Sequence, residues 1–195
     1  SWKSEIAENL PELPDARRER FINQYNLPEY DAELLTQSKS IADYYETVVS
    51  HTNDFKSASN WIMVDVLKII NEEKIDIKDF VISPFNLASL INLINSGVIS
   101  SKIAKEVFSI MLIDNKSPEL IVKEKNLVQM SDTSQIEAVI NEVLSRNENQ
   151  VNEYLGGKEK VFGFFIGQIM KETKGKANPK AVNDILKEKL ESRRS

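Results

Sequence analysis

The stretch Asp54-Phe55-Lys56-Ser57-Ala58-Ser59-Asn60-Trp61-Ile62-Met63-Val64-Asp65-Val66-Leu67-Lys68-Ile69-Ile70 reads as a helix. Ala58, Trp61, Ile62, Asp65, Val66, Ile69 and Ile70 recur at the 3.6-residue period, and the apolar positions dominate. Asp54 stands where an N-cap belongs, its carboxylate able to accept from the first free N–H groups. The same grammar continues downstream. Ser83-Pro84 is a cap followed by a proline at the first helical position, Leu87, Leu90, Ile91 and Ile94 follow at helical spacing, and Gly97 suits a left-handed end. Ser100 or Ser101 caps the next segment, with Ile103, Val107, Ile110 and Met111 turned inward, and Ser117-Pro118 repeats the start signal.

Upstream, the prolines of Leu10-Pro11-Glu12-Leu13-Pro14 hold the chain extended, and Asp15 is expected to cap a first helix carrying Arg17, Arg18 and Arg20. Pro28 opens a short helix through Leu35. Thr36 or Ser38 starts another, with Ile41, Tyr44, Tyr45 and Val48 on one face. Toward the end, helices are expected near Asp132 to Ser145, Lys158 to Lys174 and Pro179 to Arg193, with a shorter one around Gln150. Asn126 to Ser131 reads as a break. The expectation is an all-α chain: a helical domain over 1–127, then a smaller helical bundle over 128–195.

Composition narrows the function. The 195 residues contain 41% hydrophobic and 28% charged side chains, enough for a packed core. There is no cysteine, which removes disulfides, zinc-thiolate sites and a cysteine nucleophile and fits a reducing cytoplasm. No apolar run approaches the roughly 20 residues of a membrane span. No secretory signal is visible, and the start at Ser1-Trp2 rather than Met leads us to expect a piece of a longer chain. His51 is the one histidine and makes a poor metal site alone; a surface or capping role is expected. No phosphate-binding Gly-x-x-x-x-Gly-Lys loop and no Gly-x-Ser-x-Gly elbow occurs. Glu72-Glu73 sits beside Lys74 as solvated surface, and Trp61, Phe162, Phe164 and Phe165 lie in apolar stripes that favour core packing. The chain is therefore expected to hold no catalytic site and no metal.

The net charge of −5 is uneven. From Tyr154 to Ser195 there are ten Lys or Arg against five Asp or Glu, so a basic end follows an acidic body. Within it, residues 156–180 carry three readable features. Gly163 and Gly167 lie one turn apart on one face, where each costs about 1 kcal/mol relative to Ala. Close approach of another backbone, a packed helix or a ligand, would offset that; close helix packing is expected. Gly175 follows Lys171 and Lys174, which suit a helix C-terminus. Asn178-Pro179 starts the last helix, whose free N–H groups could take a phosphate, with Lys174, Lys176 and Lys180 around it. Lys158 and Lys160 complete the basic set.

Residues 156–180 resemble the C-terminal signature of the GatB family, the B subunits of glutamyl/aspartyl-tRNA amidotransferases. The matching positions are Gly163, Gly167, Gln168, Met170, Lys171, Thr173, Lys174, Gly175, Lys176, Ala177, Asn178 and Pro179. Leu10 through Arg18, Tyr30-Asp31-Ala32, Leu35-Thr36 and Asn60-Trp61 resemble the family's helical domain in the same order, so the resemblance covers nearly the whole chain. Phe165 departs from the smaller or aliphatic residue more usual there.

The resemblance implies a parent enzyme that converts Glu-tRNA(Gln) to Gln-tRNA(Gln) and Asp-tRNA(Asn) to Asn-tRNA(Asn) with glutamine and ATP. It implies A and C subunits as partners, and an absent cradle domain that uses ATP and magnesium. The residues present would be the helical domain and a YqeY-like tail reaching the tRNA elbow. They would bind tRNA through Lys158, Lys160, Lys171, Lys174, Gly175, Lys176, Asn178 and Lys180, with no cofactor of their own, in the cytoplasm. The alternative is a protein-interaction module without tRNA contact.

Overall fold

The structure is a computed structural model that describes residues 10–130 and 132–194. Trp2 lies outside the described residues, as does Ser131 at the end of the expected break. Among the described residues the fold is all-α, with no strand and one isolated bridge between Met130 and Ala177. The chain forms two compact units: Ser1–Asn92 with Met111–Ser117, and Leu93–Ile110 with Pro118–Ser195. Residues 93–110 and 118–127, expected in the first of two domains, thus cluster with the second unit.

In the first unit, α1 (Pro14–Tyr25) starts one residue before the expected Asp15 cap, with Leu13 in the cap position. Proline's fixed φ sets the first helical residue, and Asp15 falls in the first turn, where its charge suits the helix dipole. Next come α2 (Glu29–Thr36) and α3 (Lys39–Val49), the latter capped by Ser38 accepting from the Ile41 N–H. The fourth helix, α4, runs through Phe55–Asn60, Trp61–Val66 and Leu67–Glu73, its middle part a π-helix. Asp54 caps it, as its position predicts. Phe21, Tyr25, Tyr45 and Phe55 make an aromatic core with ring centroids 5.1–5.4 Å apart. The buried Asp31 carboxylate accepts from Lys56 Nζ at 2.6 Å and Ser59 Oγ at 3.0 Å, joining α2 to α4. A single 3₁₀ turn (Ile77–Asp79) precedes α5 (Pro84–Asn95), where the Asn86 N–H bonds the Ser83 hydroxyl.

In the second unit, Gly97 has the left-handed φ of 77° that its position predicts, and the Ser100 hydroxyl accepts from the Ile103 N–H at the start of α6 (Ser101–Asp114). Then follow α7 (Pro118–Glu124), α8 (Thr133–Arg146), α9 (Glu148–Leu155), α10 (Val161–Glu172) and α11 (Pro179–Glu191). Ile136, Ile140 and Leu144 of α8, Phe165 and Ile169 of α10, and Val182, Leu186 and Leu190 of α11 are fully buried against one another. The segment read as a break is tied down within this unit. The Gln129 N–H donates to Val98 O, and Met130 exchanges backbone bonds with Lys176 O and the Asn178 N–H.

Candidate nucleic-acid interface

The signature turn between α10 and α11 is built mostly from residues that serve the fold. Thr173 is buried and its hydroxyl donates to Ile169 O at 2.9 Å, closing α10. Lys174 and Gly175 both take left-handed backbone, with φ of 52° and 74°. The Gly175 N–H then reaches back to Met170 O at 2.8 Å, the six-to-one bond of a helix end that glycine accommodates best. Ala177 is fully buried beneath the bridge to Met130.

Asn178 caps α11. Its side-chain oxygen accepts from the N–H groups of Lys180 at 3.0 Å and Ala181 at 3.3 Å, while Asn178 O accepts from Val182 at 2.9 Å. Pro179 has no N–H to offer. The first turn expected to present free donors to a phosphate therefore has none free, which corrects that reading: the cap satisfies them internally. Of the site residues read from the sequence, Gly175 and Asn178 hold the turn, and the lysines are what it displays.

Lys171, Lys174 and Lys180 are exposed and Lys176 is half-buried. Among the described residues, no carboxylate lies within ion-pair distance of these four. Glu172, next to Lys171 in sequence, instead faces Arg146 at 3.3 Å. Lys158 is held by Glu153 at 3.3 Å. Lys158 and Lys160 sit at the opposite end of α10, whose 12 residues span about 18 Å.

Lys160 nevertheless shares a face with the other cluster. Lys160, Gly163, Phe164, Gly167 and Lys171 follow one another at three- and four-residue steps, and all are exposed. A Cβ added at Gly163 or Gly167 would meet nothing within 4 Å. The expected close packing of another helix on these glycines is thus corrected: within the described chain they form a smooth outward strip. The aromatic residues separate in the same way. Trp61 and Phe165 are core, as expected, whereas Phe164 is 39% exposed on this strip.

One contributor escaped the sequence reading. Lys102 and Glu106 of α6 line a cleft of about 460 Å³ together with Gly167, Lys171, Lys174 and Gly175. Lys102 lies far from the signature in sequence, and no local pattern links the two. The arrangement presents unpaired ammonium groups beside an open helix face, which suits a polyanion with exposed sugar and phosphate. His51 lies in the first unit, exposed at the end of α3, its Nδ1 2.8 Å from Ser50 Oγ and its ring edge-on to Phe85. No helix of the described residues is long and apolar enough to cross a membrane.

The family model described as "GatB domain" matches residues 43–190. The B subunit of the aspartyl/glutamyl-tRNA(Asn/Gln) amidotransferase of Caldicellulosiruptor bescii is 48% identical over 194 residues, covering 98% of this chain and 40% of the relative. The proteins of the same name from Geobacillus thermodenitrificans and Geotalea uraniireducens are 46% and 49% identical, over 98% and 97% of this chain and again 40% of their own length. The chain thus spans about two fifths of the curated relatives it matches.

Proposed function

The chain belongs to the GatB family, and on that footing we propose that it is the tRNA-gripping C-terminal part of an amidotransferase B subunit. It holds Glu-tRNA(Gln) or Asp-tRNA(Asn) while glutamine- and ATP-dependent amidation takes place on polypeptide outside these residues, with Mg²⁺ and with the A and C subunits in the cytoplasm. The role of the present residues is positional. They supply affinity for the nucleic-acid backbone and leave the carboxylate chemistry elsewhere.

The observation that carries this reading is the set Lys171, Lys174, Lys176 and Lys180, displayed around one turn with no carboxylate of the described residues in ion-pair reach. Surface lysines near acidic residues usually find partners, at little net gain. Here they remain available to phosphate. Charge division supports the same assignment. The first unit has ten Lys or Arg against seventeen Asp or Glu, and the second fifteen against thirteen. The anionic body would repel stray polyanion, while the second unit accepts it.

The test is the variant Lys174→Glu, Lys176→Glu, Lys180→Glu, titrated with unacylated tRNA. Each side chain reaches solvent, so the helical melt should be unchanged while binding falls by at least roughly tenfold. Parent-like binding by this triple variant would remove the turn from the interface.

A second reading, a protein-docking module, draws on the first unit. Leu10, Leu13 and Tyr30 are exposed at 68%, 72% and 67%, and that unit is strongly acidic. A complete lack of salt-sensitive tRNA binding by the parent chain would favour it.

A further inference from the structure

We infer that the cleft between α6 and α10 is a socket for one unpaired nucleotide of a bound RNA, in which Lys102 is a further phosphate ligand and Glu106 selects the base. The inference rests on the RNA-binding reading above and deepens it.

The cleft is larger than an anion alone needs. Its volume of about 460 Å³ falls in the range of sites for small organic ligands. Its lining includes two apolar side chains, Ile103, 6% exposed, and the half-buried Met170. A phosphate gains nothing from such neighbours, whereas the flat face of a nucleobase does, and a thioether packs well against an aromatic ring. Lys102, Lys171 and Lys174 supply the cations for the attached phosphate. Gly167 and Gly175 also line the cleft and put no side chain into it, and a Cβ at either would meet nothing within 4 Å.

The charges lining this cleft do not neutralise one another. Among the described residues, Glu106 forms no ion pair with Lys102, one turn away on α6, nor with Lys171 or Lys174 across the cleft. Lysine preceding glutamate by four residues is the weaker orientation for a helical pair, which leaves both groups free for a ligand. A carboxylate in a site for phosphate alone would be a liability. It becomes useful when the ligand carries N–H donors. Guanine presents N1–H and the N2 amino group side by side, matched to the two oxygens of one carboxylate, whereas uracil flanks its single N–H with carbonyls. Only a base released from its pair can offer that edge, so the socket takes a loop or bulge nucleotide rather than duplex.

The test uses the 195-residue chain labelled with ¹⁵N and titrated separately with 5′-GMP, 5′-UMP and inorganic phosphate. The amides of Lys102, Glu106, Gly167 and Gly175 should shift with GMP at about tenfold lower concentration than with UMP or phosphate, the discrimination of one good bidentate contact. Glu106→Gln should collapse the GMP preference over UMP while leaving the melt unchanged. Lys102→Glu should weaken all three ligands, and should reduce the salt slope of tRNA binding by about one. Equal response to phosphate and GMP would mean an anion site only and overturn the proposal. So would silent cleft amides, a GMP preference that survives Glu106→Gln, or a Lys102→Glu chain that binds tRNA like its parent. A parent chain that binds no tRNA would instead sink the RNA-binding reading on which the socket rests.

Discussion

Gly167 occupies a helical position where alanine would serve the helix better and where nothing in the described chain excludes a methyl group. Gly167→Ala should therefore stabilise the fold by about 0.5–1 kcal/mol, read as a higher denaturation midpoint at unchanged slope. The same methyl should weaken tRNA binding several-fold if, as proposed, RNA backbone approaches the strip on which it stands. A stabilised variant with undiminished tRNA affinity would detach the glycines from function. That these glycines are unusual is legible in the sequence, because their cost is intrinsic to the residue. What the missing side chains make room for is not, because that depends on which elements lie outside α10. Asn178 is the converse case. The sequence identifies it as a cap, and the structure shows that this role consumes the donors expected to meet a phosphate.

At the scale of elements, α1 is fastened to its surroundings by charge. Arg17 Nη2 lies 2.6 Å from Asp43 and 2.8 Å from Glu46 of α3, and Arg20 forks onto Glu12 with two bonds of 2.7 Å. Arg20 also reaches Glu46. Its guanidinium bond holds the Glu12 carboxyl below the ordinary glutamate range, against a smaller opposing effect of partial burial. Because the folded value is the lower one, the stabilisation is fully present above the unfolded value of about 4.3 and is lost as pH falls through the folded one. Glu12→Gln should cost less than about 1 kcal/mol at neutral pH, the carboxylate being partly exposed, and that difference should narrow as pH falls below about 4.3. Urea midpoints of the two chains on either side of that pH check this; a constant offset would mean that packing, not charge, holds the segment.

Element starts are readable where a side chain does the capping, as at Ser38, Asp54 and Asp132. The π-helical turn over Trp61–Val66 is not. Its backbone bonds skip one more residue than in an α-helix while its side chains still show an apolar stripe, so periodicity alone cannot flag it.

At the scale of the molecule, the all-α class and the acidic body with a basic end are legible because both follow from composition and periodicity. The division of the chain is not. Residues 93–110 join the second unit through contacts far apart in sequence, and this brings Lys102 to the signature lysines. A lysine in an amphipathic helix looks like solvated surface until its neighbours are known. The basic face is therefore a property of the folded second unit, assembled from a motif and a residue that the motif does not contain.

The most direct test of that face is the salt dependence of tRNA binding by the intact chain, measured between about 50 and 200 mM monovalent salt. With these four lysines and Lys102 engaging phosphates at roughly 0.7–0.9 per contact, log K against log salt should fall with a slope of about −4. The slope should shrink stepwise as Lys171, Lys174, Lys176 and Lys180 are replaced. A flat dependence, or a steep one untouched by those replacements, would contradict a tRNA-binding role for this turn.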